Sequence, residues 1–207
     1  MKTKISHVVA SPMDRRGLMR AAAWSGLAFF GFAPAIGLAA GPEPKLDARE
    51  GKTTELTKAE AAKFKPLAKG VMAESFAVVL ANGERHLFRV SGGEKGAAKV
   101  ESIGPKGATH STSIMEGDSP APYIERTQAQ AATAAAMACG GFWDCFFPCM
   151  IGKITQGVWN NIKTKWQSCW NTAMKKRFWY QKVAAFLGCI FSLPYGTYAV
   201  ACFFQCR

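Results

Sequence analysis

Apolar and polar positions fall into different textures along the chain, and the clearest is a period of two in its middle. Ser75-Phe76-Ala77-Val78-Val79-Leu80 is rich in β-forming residues, and Arg85-His86-Leu87-Phe88-Arg89-Val90 alternates imperfectly between polar and apolar. Asn82-Gly83 lies between them, which predicts a hairpin on a type I′ turn, since both residues tolerate positive φ. Ser91-Gly92-Gly93 breaks the second strand. Lys99-Val100-Glu101-Ser102-Ile103 and His110-Ser111-Thr112-Ser113-Ile114 predict two more, separated by Gly104-Pro105-Lys106-Gly107. The result is an antiparallel meander of about forty residues, marginal alone at that size. Upstream, Thr57 to Lys69 predicts a short helix that could cover one face. Thr57 is placed to cap it, Glu60 completes a capping box, and Pro66 interrupts or ends it.

Further on the period lengthens to three or four. Ile151, Ile154, Val158, Ile162, Trp166, Cys169 and Ala173 predict one helical stripe, and Tyr180, Val183, Ala184, Leu187 and Phe191 a second. Leu193-Pro194-Tyr195-Gly196 is a breaker, and Tyr198 to Phe204 reads as a last short helix. Val183 to Gln205 carries no charge and is long enough to cross a bilayer, although Pro194 and Gly196 interrupt it. Between the two textures, Glu116 to Pro122 reads as a polar loop. Gln128 to Ala138 is almost pure Ala, Gln and Thr, with no apolar stripe to dock it. That stretch predicts a flexible linker, the kind of segment proteases cut.

The chain opens on a third texture. Arg15-Arg16 precedes the apolar run from Ala21 to Phe32, and small residues follow from Gly37 to Gly41. This order is that of a signal peptide, and consecutive arginines before the run match the twin-arginine type. Cleavage is expected after Ala39 or Ala40, with the twin-arginine translocase as the export partner. The organisation predicted is a leader over 1–40, a β-rich segment over 41–115, a linker over 116–138 and a cysteine-rich domain over 139–207. The fold class expected is α+β: a small antiparallel β-meander with a short helix, an Ala-rich linker, then a disulfide-stapled helical hairpin or bundle.

Charge separates the same segments. The net charge of the 207-residue chain is +12. From Gly41 to Gln130, thirteen Lys and Arg face twelve Asp and Glu; from Ala131 onward, eight face Asp144 alone. Basicity is therefore local to the tail. So are all seven cysteines and five of the six tryptophans. A basic face attracts anionic lipid or nucleic acid alike. The many bulky apolar residues and the lack of a nucleic-acid motif favour lipid. Lys163, Lys165, Lys175, Lys176, Arg177 and Lys182, with Trp166, Trp170 and Trp179, are the expected membrane-binding set. The run Lys175-Lys176-Arg177-Phe178-Trp179-Tyr180-Gln181-Lys182 has the basic and aromatic make-up of an interfacial anchor.

Cys145 and Cys149 share their spacing with Cys202 and Cys206. On a helix, residues four apart share a face, but their Cβ atoms stand roughly 6 Å apart, too far for a disulfide between them. Each pair can instead close on its counterpart on an antiparallel helix, joining Cys145 to Cys206 and Cys149 to Cys202. A chain turn near Lys175-Lys176-Arg177 would let Cys169 face Cys189, leaving Cys139 unpaired. Sequence leaves this connectivity open. Export makes disulfides the default chemistry for these thiols.

No catalytic constellation emerges. His86 and His110 read as surface histidines on a sheet, without the cysteines or paired carboxylates of a metal site. No nucleophile–base pair or phosphate loop is present in the pattern, so neither an enzyme nor a cofactor is expected.

The layout resembles halocin C-eight-type bacteriocin precursors, through the twin-arginine leader, the middle segment and the cysteine-rich block from Cys139-Gly140-Gly141 through Cys145, Cys149, Cys202 and Cys206. The resemblance implies that the C-terminal block is a secreted toxin and that the upstream segment sequesters it. This tail is more basic and richer in tryptophan than that family's toxin, as bacterial membrane-active peptides are. The paired Cys-x-x-x-Cys spacing also resembles helical-hairpin antimicrobial peptides. The function expected is an exported, membrane-active antimicrobial precursor acting on the anionic membrane of target cells, its tail masked by its own middle segment. The alternative is a non-toxic periplasmic or envelope structural protein with a membrane-associated tail.

Overall fold

Three tight turns of one plan fold the middle of the chain into a sheet. A computed structural model describes residues 50–126 and 141–206, all within the unit Glu43–Arg207. Arg15, Arg16, the cleavage zone, the Gln128–Ala138 stretch and Cys139 lie outside the described residues. Strands β1 (Lys52–Thr54), β2 (Ala73–Val79), β3 (Arg85–Gly92), β4 (Ala98–Ile103) and β5 (Thr109–Ile114) pair antiparallel in chain order. The β2–β3 turn is not type I′. Gly83 alone takes positive φ, at 83°. The Leu80 amide donates to Glu84 O at 2.8 Å, and the Gly83 amide to Leu80 O at 2.9 Å. Asn82 uses its side chain instead, its Oδ1 accepting the Glu84 amide at 3.0 Å. Gly96 and Gly107 hold the same place in the next two turns, at φ 76° and 78°. A residue in this left-handed region closes a short hairpin loop, and glycine does so without steric cost.

Helix α1 (Lys58–Ala61) carries the expected capping box: Thr57 Oγ1 accepts the Glu60 amide at 3.2 Å, and Glu60 Oε2 accepts the Thr57 amide at 2.8 Å. It ends well before Pro66. The chain turns down there, and Phe64 plugs against Ala77, Leu87 and Ile103 on the outer face of the sheet. Arg89, beside it, pairs with Glu101 at 2.6 Å and lies over the Phe64 ring.

The opposite face carries Phe76, Val78, Phe88, Val90, Ala98, Val100 and Ile114, as the cross-strand register requires. Against it lies the helical tail. A short helix, α2 (Ala121–Ile124), leads out of the sheet, and the described part of the expected linker is anchored by buried Pro120 and Ile124. The tail proper is α3 (Phe142–Gly152), α4 (Gln156–Ala173), α5 (Trp179–Phe191) and α6 (Gly196–Gln205). The first apolar stripe thus spans two helices rather than one. Thr155 interrupts it, because its Oγ1 caps a new helix by accepting the Val158 amide at 3.3 Å.

The uncharged run from Val183 is likewise split. Tyr195 takes φ 67°, and Gly196 starts α6 so close to α5 that a Cβ there would fall on the Phe191 carbonyl. No described helix is long and apolar enough to cross a membrane. Helix α5 crosses β1 to β4, α4 packs on α5, and α3 pairs with α6. One apolar core runs from Phe76 and Phe88 in the sheet through Phe191 and Phe203 to Trp143, Phe146 and Trp166.

Candidate functional site

The tail is a clamped bundle before it is anything else. Cys145 and Cys149 stand one turn apart on α3; Cys202 lies on α6, and Cys206 caps it. Cys145–Cys206 and Cys149–Cys202 are bonded, with Cα atoms 5.6 and 5.7 Å apart. Cys169 on α4 bonds Cys189 on α5, with Cα atoms 5.8 Å apart. These are the pairs to which the matched spacings and the turn near Lys175-Lys176-Arg177 lead. All three close within the tail, and none ties it covalently to the sheet.

Inside the clamp the aromatic rings meet mainly edge to face. Trp143 meets Phe186 at 5.6 Å, Trp159 meets Trp166 at 5.5 Å, and Trp170 meets both Phe186 and Trp179. Such pairs contribute roughly 0.5–1.5 kcal/mol beyond area burial.

Three indoles reach out of the tail to the segment that precedes it. Trp143 Nε1 donates to Asp118 O at 2.8 Å, Trp159 Nε1 to Arg126 O at 3.0 Å, and Trp179 Nε1 to Ile114 O at 2.8 Å. The acceptors are backbone carbonyls, so no side-chain signal upstream marks them. Sheet and α5 are tied at a second point: Thr53 Oγ1 donates to Gly188 O at 2.9 Å and meets Ser192 Oγ at 2.8 Å.

The expected membrane-binding residues divide by polarity. Lys165, Lys175, Lys176 and Arg177 are exposed, and Lys163 and Lys182 are half-buried. Trp166, Trp170 and Trp179 are buried, at 1%, 6% and 9% exposure. In this fold they face the core and not the surroundings. An amphipathic ring suits a core with a carbonyl in reach as well as it suits a lipid interface. Phe178, at 38% exposure, is the aromatic residue of the basic run that stays outside.

The histidines are corrected from surface residues to residues beneath α6. His86 is buried against the Phe204 ring, and half-buried His110 meets Phe203 and Phe204. Both project from the helix-facing side of the sheet, which their strand register fixes. Burial pushes the His86 pKa below its usual 6.5, against the pull of Glu84, whose Oε2 is 3.8 Å away. Across the sheet, the Arg85 guanidinium and the Thr57 amide hold the Glu60 carboxyl down at about 2. Among the described residues no group of three or more His, Cys, Asp or Glu is placed to hold a metal ion.

No family model, curated protein or solved structure matches this chain. Its function therefore rests on geometry and chemistry. The three disulfides fit an oxidising, extracytoplasmic location.

Proposed function

We propose that the chain is the exported precursor of a disulfide-stabilised, membrane-active antimicrobial protein of bacteriocin type, with no enzymatic activity and no cofactor. The observation that carries this reading is the relation of tail to sheet. The basic, cysteine-clamped tail turns its aromatic surface onto the upstream segment through burial and three indole hydrogen bonds, while every disulfide stays within the tail. One cut in the Gln128–Ala138 stretch would leave the tail covalently whole. Loss of the sheet would then uncover Tyr180, Gly188 and Phe191 of α5, which lie against Gly92, Phe76 and Phe88. The uncovered scaffold would be basic and apolar, the combination that binds anionic lipid. Arg15 and Arg16 direct export through the twin-arginine translocase, a route that carries folded cargo. The target is the anionic membrane of competing cells, not nucleic acid, and the middle segment is the masking partner.

Mass spectrometry of culture supernatant tests the reading. A tail starting near Cys139 and lighter by six hydrogens for three disulfides is expected. Recovery of the uncut chain alone would favour a second reading, a non-toxic envelope protein with a membrane-associated tail. The continuity of the core between sheet and helices speaks for that one.

A further inference from the structure

Several of the apolar side chains that the core leaves out meet at one end of the sheet. Six large apolar residues are exposed among those described: Leu67, Val71, Met72, Met115, Met174 and Phe178. Val71, Met72 and Phe178 line one open cleft of about 450 Å³. Met174 stands four residues before Phe178, and Met115 follows Ile114, whose carbonyl holds Trp179. Met72 is 56% exposed, although a methionine is normally drawn into a core.

Exposed charges around this tip are of both signs with cations in the majority, Lys69, Lys175, Lys176 and Arg177 against Glu74, Glu94 and Glu116. Lys175, Lys176 and Arg177 form the α4–α5 turn, all exposed, and Lys69 precedes Val71. The Arg177 guanidinium lies over the Phe178 ring, 5.1 Å from its centroid. Glu116 is the carboxylate that lines the cleft.

We propose that this tip docks the intact, still-masked protein onto an anionic lipid surface, Met72, Phe178 and Val71 entering the headgroup region while Lys175, Lys176 and Arg177 bind lipid phosphates. The idea rests on the reading of the membrane as partner. It adds that recognition needs no opening of the fold and is shared between the two halves of the chain. Apolar side chains flanked by a basic turn fit a bilayer interface, where rings and methyls meet the acyl boundary and cations meet phosphate. The strands set the geometry: Ala73 of β2 pairs with Ser91 at this end, and Val79 pairs with Arg85 at the other, roughly 20 Å away at strand rise. The far turn carries Lys106, exposed and remote from the tip.

The oxidised chain from Gly41 onward is sedimented with vesicles of phosphatidylglycerol and phosphatidylcholine, or of phosphatidylcholine alone, and dye release is recorded from the same samples. Binding only to the anionic vesicles is expected, without dye release. Met72→Glu and Phe178→Glu should each weaken binding about tenfold. The Lys175→Glu/Lys176→Glu pair should do so about as much, and Lys106→Glu should change binding less than twofold. Bromine-labelled phosphatidylglycerol should quench Phe178→Trp more strongly than the native chain, a readout that does not depend on a disruptive variant. Equal loss from Lys106→Glu, unchanged binding by Met72→Glu and Phe178→Glu, or no added quenching of Phe178→Trp would overturn the docking tip. A released tail that leaves the vesicles intact would remove the antimicrobial reading and leave the tip standing.

Discussion

The indole of Trp179, the first residue of α5, donates to the carbonyl of Ile114, the last residue of β5, across 2.8 Å and 65 residues of sequence. Trp166, also buried, on α4, has no hydrogen-bond partner for its Nε1. The two tryptophans therefore make an internal comparison. Trp179→Phe and Trp166→Phe both lose ring volume, but only the first strands a buried carbonyl. Trp179→Phe is expected to cost about 1–2 kcal/mol more than Trp166→Phe in urea unfolding. Equal costs would mean that the Trp179 bond does not help hold tail to sheet.

The two clamp disulfides are nested, and nesting makes them non-additive. Cys145–Cys206 closes a separation of 61 residues and Cys149–Cys202 one of 53. With either in place, the other restrains only the few residues between them. On loop entropy, removing one pair with serine should cost about 2–3 kcal/mol and removing both about 6–7. Denaturation of the two single-pair variants and the combined variant reads this directly. A combined loss no larger than the sum of the two would argue against the nested clamp.

Acid should loosen α6 from the sheet. The His86 pKa lies below 6.5 in the fold because burial disfavours its charged form, and near 6.5 in the unfolded chain. Between those values the unfolded chain binds more protons, so stability is full above 6.5 and falls as pH falls through it. Glu60, held at about 2, adds its own loss only as pH drops below 4.5. Urea unfolding between about pH 8 and about pH 5.5 therefore leaves the carboxylates out. The native chain should weaken toward the acid end, and His86→Gln should flatten that slope. A slope unchanged in His86→Gln would assign it to another group.

Strands β2 to β5 were legible because their β-forming and alternating runs are local signals, and each was placed to within two residues. Strand β1 was missed, because Lys52-Thr53-Thr54 is short and polar and is a strand only through its pairing with β2. The capping box at Thr57 and Glu60 was local too. The turn at Asn82-Gly83 was misread because Asn82 spends its side chain on the Glu84 amide instead of adopting positive φ. The break at Thr155 was hidden by a stripe that keeps its phase across two helices. The reach of α5 over four strands was not legible, since apolar alternation says that a face is covered but not by what. The same ambiguity hid the fate of Trp166, Trp170 and Trp179. The exposed pair Val71 and Met72 sits just outside a strand, with no periodicity to mark it.

Masking is the claim on which the proposed function depends, and it can be tested within one molecule. A site for a specific protease placed between Gln128 and Ala138 leaves the described core unaltered. Before the cut, the aromatic surface of α5 lies under the sheet and the three indole bonds hold the upstream segment in place. After the cut, only non-covalent contacts join the halves, because the disulfides all lie within the tail. Dilution onto anionic vesicles should then let the tail part from the sheet and release dye, whereas the uncut chain should not. Excess upstream segment added back should slow the release. Salt should weaken the first attraction, since exposed charges are screened beyond roughly 8 Å at physiological ionic strength. Reducing the disulfides before the cut should abolish release if the clamped scaffold is the active form. Cut, oxidised protein that leaves anionic vesicles sealed at micromolar concentration, with its tail free of the sheet, would sink the antimicrobial mechanism and leave the envelope protein as the better reading.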